Sequence, residues 1–301
     1  MLQYDARSAT LRQRLKCRMI RPVVLRHNAA GPPGGALTAS RGRRRPQWLH
    51  WALILGVLLL GLAMPPLASA GGVVTNCSDD AQFSGLLASG GTITFNCGGI
   101  GATAAITIAS TKAIGTAVRI DGGGKITLSG NQARRIFNVQ PGANLTLANL
   151  TLRDGRDFGG GAILNQGTLT IENGTLVNNE AYGQYGGAIK NIGALTVTNS
   201  LLTTNAATTG YGGAIDSAEL DSLTVIVSST LSNNSAGLGG GGIANNGIVR
   251  LTGATFSGNT ASANYGGGAI ENTGPLTVVA STFSGNTAGK GGGIYNRVLA
   301  E

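Results

Sequence analysis

Short stretches that alternate apolar and polar residues recur through the second half of the chain. They include Leu169-Thr170-Ile171, Leu195-Thr196-Val197, Leu223-Thr224-Val225 and Leu276-Thr277-Val278. Alternation with a period of two is typical of strands that bury one face. The hydrophobic pattern therefore predicts short, half-buried strands.

These strands belong to a repeat whose copies begin 26, 26, 28, 27 and 24 residues apart. About three short strands in such a period fit one turn of a parallel β-helix, because a propeller blade needs roughly 40 residues or more. We therefore expect an all-β parallel β-helix solenoid with glycine at its corners. The glycines that open the copies are Gly160, Gly186, Gly212, Gly240, Gly267 and Gly291.

Two columns of asparagine accompany the glycines. Turns of a β-helix stack about 4.8 Å apart, so that the amide of one asparagine can donate to the carbonyl of the next. We expect both columns to form internal ladders. The first column is Asn165, Asn191, Ser217, Asn245, Asn272 and Asn296, and the second is Asn179, Asn205, Asn234, Asn259 and Asn286.

The segment that precedes each glycine pair varies in length and carries most of the aromatic residues, which indicates a surface turn. Rings at successive turns along one edge would offer a surface for sugar rings or for a partner protein. The alternative is that the rings stack on one another and shield the glycine corner. These residues are Phe158, Tyr182, Tyr185, Tyr211 and Tyr265.

The paired motifs of the repeat resemble those of polymorphic outer-membrane proteins. Gly-Gly-Ala-Ile occurs at residues 160–163, 186–189, 212–215 and 267–270, and Phe-x-x-Asn at 256–259 and 283–286. The resemblance covers residues 160–301 and implies a right-handed, pectin-lyase-like β-helix displayed outside the cell, often as an adhesive passenger. Three copies depart from the pattern by carrying leucine in place of the phenylalanine, at Leu176, Leu202 and Leu231.

The first 70 residues have the order of a basic segment followed by a signal peptide. Residues 1–50 hold eleven of the 22 Lys and Arg but only one acid, and an apolar run at 51–64 precedes Ala68-Ser69-Ala70. This order predicts cleavage after Ala70, and the run is short for a membrane span. We expect a secreted or cell-surface protein that meets the membrane only through this segment. The remaining chain has eleven bases against twelve acids, so a nucleic-acid partner is not expected.

Residues 71–155 are predicted to form an N-terminal cap and irregular first coils, ahead of the regular repeats at 156–301. Ser78 is placed to cap a short helix with Phe83, Leu86 and Leu87 as its apolar residues. Cys77 and Cys97 are expected to form a disulfide in an oxidising compartment. Two cysteines without histidine do not provide a metal site. At the other end, residues 294–301 start a coil without an evident cap, so we expect truncation there, with cover by a partner as the alternative.

Candidate catalytic groups are sparse. Both histidines precede residue 70, which removes Ser-His and Cys-His nucleophilic systems from the exported part. A pectate-lyase-like reaction, with an arginine base beside calcium-binding acids, is the enzymatic alternative, and Asp157 and Glu180 could face one another for it. The simpler interpretation is that these are solvated turn residues. The groups available for a lyase-like reaction are Arg153, Asp154, Arg156, Asp157 and Glu180.

Two further columns lie on outward positions of the predicted strands. The first column contains Lys190, Asp216 and Glu271. Within it, Lys190 is expected to form a surface ion pair with Asp216 on the next turn. The other is an outward threonine column comprising Thr170, Thr196, Thr224 and Thr277.

These patterns together predict an exported, non-catalytic β-helix that acts as a cell-surface adhesion or binding module. Its ligand is expected to be a glycan or a surface protein, and no cofactor is expected. The alternative is a polysaccharide lyase or hydrolase acting on acidic glycans, which would use Ca²⁺.

Overall fold

The computed structural model describes residues 70–98, 102–262 and 264–297. The predicted signal segment and the last four residues lie outside this part of the chain. The described residues form a parallel β-solenoid with a single helix, α1 (Ala81–Ser89), near its N-terminal side. The predicted all-β solenoid with a short N-terminal helix is confirmed. No helix among the described residues is long and apolar enough to cross a membrane.

Each regular turn contributes four short strands, one more than the sequence pattern suggested. The first strand of each turn belongs to an eight-stranded parallel stack, and its members begin with isoleucine from the third turn onward. Its strands are β4 (Lys112–Ile114), β6 (Phe137–Val139), β9 (Ile163–Asn165), β13 (Ile189–Asn191), β17 (Ile215–Ser217), β21 (Ile243–Asn245), β25 (Ile270–Asn272) and β28 (Ile294–Asn296).

The second and third strands of each turn form two stacks within one 15-stranded sheet, because the long early strands β5 (Ala117–Ser129) and β7 (Asn144–Arg153) run through both. This sheet also holds the first strands of the described chain. It comprises β1 (Gly72–Val74), β2 (Gly91–Phe95), β3 (Ala104–Thr107), β5 (Ala117–Ser129), β7 (Asn144–Arg153), β10 (Thr168–Glu172), β11 (Thr175–Val177), β14 (Ala194–Thr198), β15 (Leu201–Thr203), β18 (Leu223–Val227), β19 (Thr230–Ser232), β22 (Ile248–Thr252), β23 (Thr255–Ser257), β26 (Leu276–Val279) and β27 (Thr282–Ser284).

The fourth strand of each turn belongs to a five-stranded parallel stack that leads into the variable turns. This stack carries Phe158, Tyr182 and Tyr185, and it therefore positions part of the aromatic edge. Its strands are β8 (Arg156–Gly159), β12 (Glu180–Tyr185), β16 (Ala206–Ala207), β20 (Ser235–Ala236) and β24 (Thr260–Ala261).

Equivalent residues of successive turns pair with one another, and this register forms the core. Ile163 pairs with Ile189, which pairs with Ile215, and the column continues through Ile243 and Ile270. These five side chains are fully buried. Parallel strands at a spacing of about 4.8 Å allow such columns to pack without gaps. Each turn therefore returns its isoleucine to the same place, although the turns differ in length.

Three corners in each regular turn have left-handed backbone. Two of them flank the third strand, five residues apart, and they use mainly asparagine, aspartate and glycine, which tolerate positive φ best. The third corner is the first glycine of each repeat, such as Gly186 at φ 61°. The corner before the third strand is formed in successive turns by Asn149, Asn173, Asn199, Ser228, Gly253 and Ala280. The corner after it is formed by Asp154, Asn178, Thr204, Asn233, Gly258 and Gly285.

The second asparagine column forms an unbroken ladder inside the solenoid. The Nδ2 atoms of Asn179, Asn205, Asn234 and Asn259 each donate to Oδ1 of the next asparagine at 2.9–3.0 Å. Each Oδ1 also accepts the backbone N–H of the preceding member, and a second Nδ2 hydrogen goes to a carbonyl of an earlier turn. The ladder therefore satisfies buried amide groups that no strand pairing reaches.

The first asparagine column is interrupted at Ser217. Asn165 donates to Asn191 at 2.7 Å, and farther along Asn245 donates to Asn272 at 2.7 Å and Asn272 to Asn296 at 3.1 Å. Between the two segments, Asn191 instead donates to the hydroxyl of Thr224 at 3.0 Å. Hydroxyl groups replace the amide at this turn, and Oδ1 of Asn245 on the next turn accepts no hydrogen bond among the described residues.

The expected outward position of Thr224 is wrong. Thr224 pairs with Leu195, and Val225 pairs with Thr196, so that Thr224 points inward and is fully buried. The cause is the longer connection after Ser217, which shifts the strand by one residue relative to its neighbours. Thr224 then fills the space beside the short Ser217 side chain, whose Oγ lies 3.3 Å away.

Substitution of Asn205 with alanine is expected to lower the free energy of unfolding by about 3 kcal/mol, because several buried partners lose their hydrogen bonds together. Those partners are the backbone N–H and Nδ2 of Asn179, the carbonyl of Leu176 and Oδ1 of Asn234. Urea denaturation measures the change. Asn173→Gly is the control, because it removes an exposed asparagine ladder bond while keeping positive φ available. Equal effects of the two substitutions would contradict the role of the internal ladder.

The N-terminal helix α1 covers the first turns of the core. Phe83 and Leu87 are buried, and the Phe83 ring meets that of Phe137 edge to face at 6.4 Å. The helix begins at Ala81, so Asp80 and not Ser78 occupies the N-cap position, contrary to expectation. The reason is that the Asp80 carboxylate turns inward, where it accepts the N–H of Ala109 at 2.8 Å and pairs with the ammonium of Lys112.

A disulfide joins Cys77 to Cys97, with their Cα atoms 5.6 Å apart. Cys77 lies just ahead of α1, and Cys97 follows β2 (Gly91–Phe95). The bond closes a loop that contains the whole helix. It thereby ties the start of α1 to the end of β2.

Candidate functional site

The aromatic residues of the variable turns form two groups on one edge. The Phe158 and Tyr182 rings meet edge to face at 6.1 Å, and those of Tyr211 and Tyr265 at 6.4 Å. The backbone of Tyr185 bridges to that of Tyr211. We call Phe158 and Tyr182 the aromatic pair, and Tyr185, Tyr211 and Tyr265 the tyrosine group.

The rings contact one another and still leave surface free. Phe158 is 57%, Tyr182 48% and Tyr265 38% exposed. The Phe158 ring also lies against Gly183, where a side chain would collide with it. Mutual stacking and an open aromatic surface thus occur together on this edge.

Cations cover two of the rings. The Arg156 guanidinium lies 5.0 Å from the centre of the Tyr182 ring, and the Lys190 ammonium lies 4.3 Å from that of Tyr185. Such contacts are attractive because the ring face is electron-rich. They hold Tyr182 and Tyr185 in place ahead of any binding event.

The acids of the proposed lyase set are each engaged by an arginine. Asp157 pairs with Arg135 at 2.7 Å, and Glu180 pairs with Arg156 at 3.0 Å. In the strand register Glu180 lies beside Arg156, and Asp157 lies beside Ala181. The expected face-to-face arrangement of Asp157 and Glu180 is therefore wrong. The remaining members, Arg153 and Asp154, pair with each other at 3.3 Å.

Arg135 is a residue that the sequence pattern did not single out. Its guanidinium also donates to the carbonyls of Gly159 and Gly160, at 2.7 and 3.0 Å, and so covers the free edge of β8. Burial lowers the pKa of Arg135, while the Asp157 carboxylate acts in the opposite direction. The register of β6 with β9 places Arg134-Arg135 where later repeats have their glycine pair, and this substitution in the repeat is the signal in the sequence.

Within the described ranges, no three His, Cys, Asp or Glu side chains lie close enough together to hold a metal ion.

Asp216 does not form the expected surface ion pair with Lys190. Asp216 is fully buried, and neither carboxylate oxygen has a hydrogen-bond partner among the described residues. Burial raises the pKa of Asp216 to about 8. Its strand position faces outward, but variable turns lie against its neighbours in this column: the Tyr185 ring against Lys190, and Gly239 against Glu271. The expectation failed because the strand pattern does not show what the turns cover.

A cleft of about 180 Å³ lies beside the tyrosine group, at the next turns of the same column. Glu271 forms part of its wall and is only 5% exposed, with Oε1 3.7 Å from Nη1 of Arg297. Burial raises the pKa of Glu271, and burial together with Glu271 raises that of Tyr211. The full lining is Tyr185, Tyr211, Ala244, Asn245, Asn246, Glu271, Thr273 and Arg297.

The cleft brings together residues that the sequence placed in separate classes. Tyr185 and Tyr211 came from the aromatic turns, Asn245 from a ladder and Glu271 from the outward column. Arg297 was not predicted at all. It follows the last ladder asparagine, and its backbone N–H donates to the carbonyl of Asn272, which fixes its position.

The fold and edge define a repetitive parallel β-solenoid that presents aromatic and polar side chains on one side. Residues 280–297 match the family model of the Chlamydia polymorphic membrane protein repeat. This segment includes Phe283, Asn286 and the glycines before Ile294. Comparisons with curated proteins and with solved structures found no match.

Proposed function

We propose that the protein is exported through its N-terminal signal segment and acts at the cell surface as a non-catalytic adhesion module. The observation that carries this proposal is the aromatic edge. Three of its five rings are more than a third exposed, and two are held by cations. The match of residues 280–297 to a polymorphic membrane protein repeat supports surface display.

A glycan is the ligand that the edge favours over a protein. Flat ring faces at neighbouring turns suit the apolar faces of sugar rings, which amphipathic Tyr side chains bind well. Glu180 neutralises Arg156 beside the Tyr182 ring, so that Lys190 over the Tyr185 ring is the one cation of the two without an ion pair among the described residues. The edge therefore offers stacking and hydrogen bonding without a strong field of either sign.

The lyase alternative depends on Arg153, Asp154, Asp157 and Glu180, with Ca²⁺ as its cofactor. Arginines engage all three carboxylates, and no observation in the structure favours this function over binding. Calcium-dependent release of unsaturated product from polygalacturonate would reverse the ranking.

Binding to an array of glycans and matrix proteins is expected to fall at least tenfold in the Tyr182→Ala or the Tyr211→Ala variant, because each substitution removes a stacking face from one of the two groups. Bound signal against protein concentration gives the apparent affinity. Leu220→Ala is the matched control, since Leu220 is an 80% exposed apolar residue outside both groups. Equal signals from all three variants and the wild type would remove the aromatic edge from consideration.

A further inference from the structure

A second cleft, of about 360 Å³, lies on the outer face of the first turns, and none of the aromatic-edge residues lines it. It forms where the strands β3, β5 and β7 lie side by side. Its lining includes Ala104 and Ala105 of β3 and Gly124 of β5. These residues have little or no side chain, and they leave room between longer neighbours.

The charged residues that line this cleft are both bases, Lys125 and Arg153. The Lys125 ammonium makes no ion pair or hydrogen bond with any part of the chain that the structure describes. Arg153 pairs with Asp154 through Nε at 3.3 Å. This pair holds the arginine side chain, while its two Nη groups have no acceptor among the described residues. Both bases therefore keep donors for a ligand.

Two threonine hydroxyls lie between the bases. Thr127 of β5 pairs with Thr151 of β7, and both residues line the cleft. Lys125 precedes Thr127 by two residues and Arg153 follows Thr151 by two, so the four side chains leave the same face of the sheet. Within the described ranges neither hydroxyl has a hydrogen-bond partner. The cleft thus has a base at each end and free hydroxyls in the middle.

A glycine-rich bulge in β5 positions Lys125. The register of β5 against β7 shifts within this bulge, and Gly123 there has φ 58°. Asp121 anchors it, because its Oδ1 accepts the N–H of Gly123 and Nδ2 of Asn149, both at 3.0 Å. Its Oδ2 lies 3.7 Å from Nη2 of Arg119. The acid nearest to Lys125 in the sequence is therefore engaged elsewhere and leaves the ammonium charge uncompensated.

We propose that this cleft binds a sulfate or phosphate group carried on a sugar. A cleft whose charged walls are both basic attracts an anion, and ammonium, guanidinium and hydroxyl groups all donate hydrogen bonds. A tetrahedral oxyanion offers more acceptor oxygens than a carboxylate to donors that arrive from two strands. No aromatic ring lines the cleft, and its one large apolar side chain, Ile126, is buried, which disfavours a nucleobase or a lipid chain.

The size of the cleft separates a sugar ester from a free ion. Its volume of about 360 Å³ lies within the roughly 300–1,000 Å³ of small-molecule sites and exceeds what one inorganic ion fills. The site is independent of the aromatic edge, and it adds a second ligand class to the surface-binding function proposed above.

Ligand contact can be tested on the wild-type protein with ¹³C-labelled lysine, because the whole chain has five lysines. The probes are glucose 6-sulfate, glucose 6-phosphate, glucuronate, glucose and inorganic sulfate. One or both sugar esters are expected to shift the Cε signal of Lys125 and to leave those of Lys190 and Lys290 unchanged. Whichever ester binds more tightly identifies the oxyanion. Equal shifts at all three lysines, or binding of glucuronate or inorganic sulfate as tight as that of the esters, would overturn the proposal.

The Lys125→Gln and Arg153→Gln variants are each expected to bind the sugar ester roughly tenfold more weakly in calorimetric titration, because each loses a charge-assisted hydrogen bond. Arg250→Gln is the matched control, since Arg250 is an exposed base on the outer face of β22 (Ile248–Thr252) without a described partner. Lys125→Gln is expected to keep the wild-type urea midpoint, because Lys125 has no partner to lose. Equal losses of affinity in all three variants would mean general attraction of anions and would overturn the site.

The Tyr182→Ala variant separates this proposal from the aromatic edge. It is expected to bind the sugar ester as the wild type does, even where its binding to the glycan array falls. An equal loss of ester binding in Tyr182→Ala and Lys125→Gln would overturn a separate oxyanion site. Absence of array binding in the wild type, with the Lys125 shift retained, would overturn the aromatic edge alone.

Discussion

The Asp216→Asn variant is expected to lose far less stability than the wild type as the pH rises from 5 to 8. Asp216 is fully buried without hydrogen-bond partners, and burial raises its pKa to about 8 from the model-peptide value of 3.8. The nearby Lys190 opposes the shift, and Glu219 adds to it. In the folded protein the carboxyl group is therefore protonated at neutral pH.

The sign of the effect follows from the two pKa values. Below pH 4 both the folded and the unfolded chain hold the proton, and the contribution of Asp216 to stability is fully present. As the pH rises, the unfolded chain releases the proton first, so stability falls until the folded group also titrates near pH 8. The slope is about 1.4 kcal/mol per pH unit, which gives at most about 4 kcal/mol between pH 5 and pH 8.

Urea denaturation at a series of pH values measures this slope. Asn has nearly the same shape as Asp and no proton to lose, so the slope due to residue 216 disappears in the variant. A smaller slope of the same sign is expected to remain from Glu271, whose pKa burial also raises. Asp221→Asn is the control, because it removes one acid at an exposed position. Parallel curves for wild type and Asp216→Asn would refute the assignment.

Gly187→Ala is expected to destabilise the protein by about 3 kcal/mol or more. Gly187 is the second glycine of its repeat, and an added Cβ would lie 2.0 Å from the carbonyl oxygen of Gly213 on the next turn. It would also lie 2.6 Å from the backbone of Ala206. Both neighbours are held by hydrogen bonds between turns, so neither can move away without breaking them.

The matched control for this substitution is Gly85→Ala in α1. A Cβ at Gly85 meets nothing within 4 Å, and the helix gains about 0.5–1 kcal/mol from alanine in its interior. Chemical denaturation of the two variants should therefore give changes of opposite sign. Comparable stability of Gly187→Ala and the wild type would mean that the turns are not packed as closely as the structure shows.

The sequence predicted the repeat architecture because its determinants are local and periodic. The glycine that opens each copy has the positive φ that favours glycine, and the asparagines recur wherever the interior needs an amide. Alternation in Leu169-Thr170-Ile171 gave the inward and outward faces correctly. Four strands were found where three were expected, because the fourth strands β16, β20 and β24 have only two residues each and show no pattern.

Two predicted surface positions were wrong, and in both cases the connections between strands or repeats differ from the regular pattern. Thr224 was assigned to the surface because its tripeptide matches the others, whereas the longer connection after Ser217 moves it inward. Asp216 was assigned to the surface because its strand position faces outward, yet it is fully buried in a column that variable turns contact at Lys190 and Glu271. Both outcomes depend on the path of connections between repeats, which periodicity does not describe.

The candidate cleft was the least predictable feature. Its lining comes from five repeats and includes Tyr211, Asn245, Glu271 and Arg297, which lie up to 86 residues apart in the sequence. No one of these residues is distinguished by its own position in the repeat. Only the stacking of the turns places them together, and the position of Arg297 depends on one backbone bond to Asn272.

Because each residue pairs with its equivalent in the next turn, such a chain can change length by whole repeats. Excision or duplication of one complete repeat would join equivalent positions and leave every remaining column in contact with a like neighbour. Recombination between copies that share this register would therefore produce longer or shorter solenoids that still fold. A change in copy number would also lengthen or shorten the edge on which the aromatic turns lie.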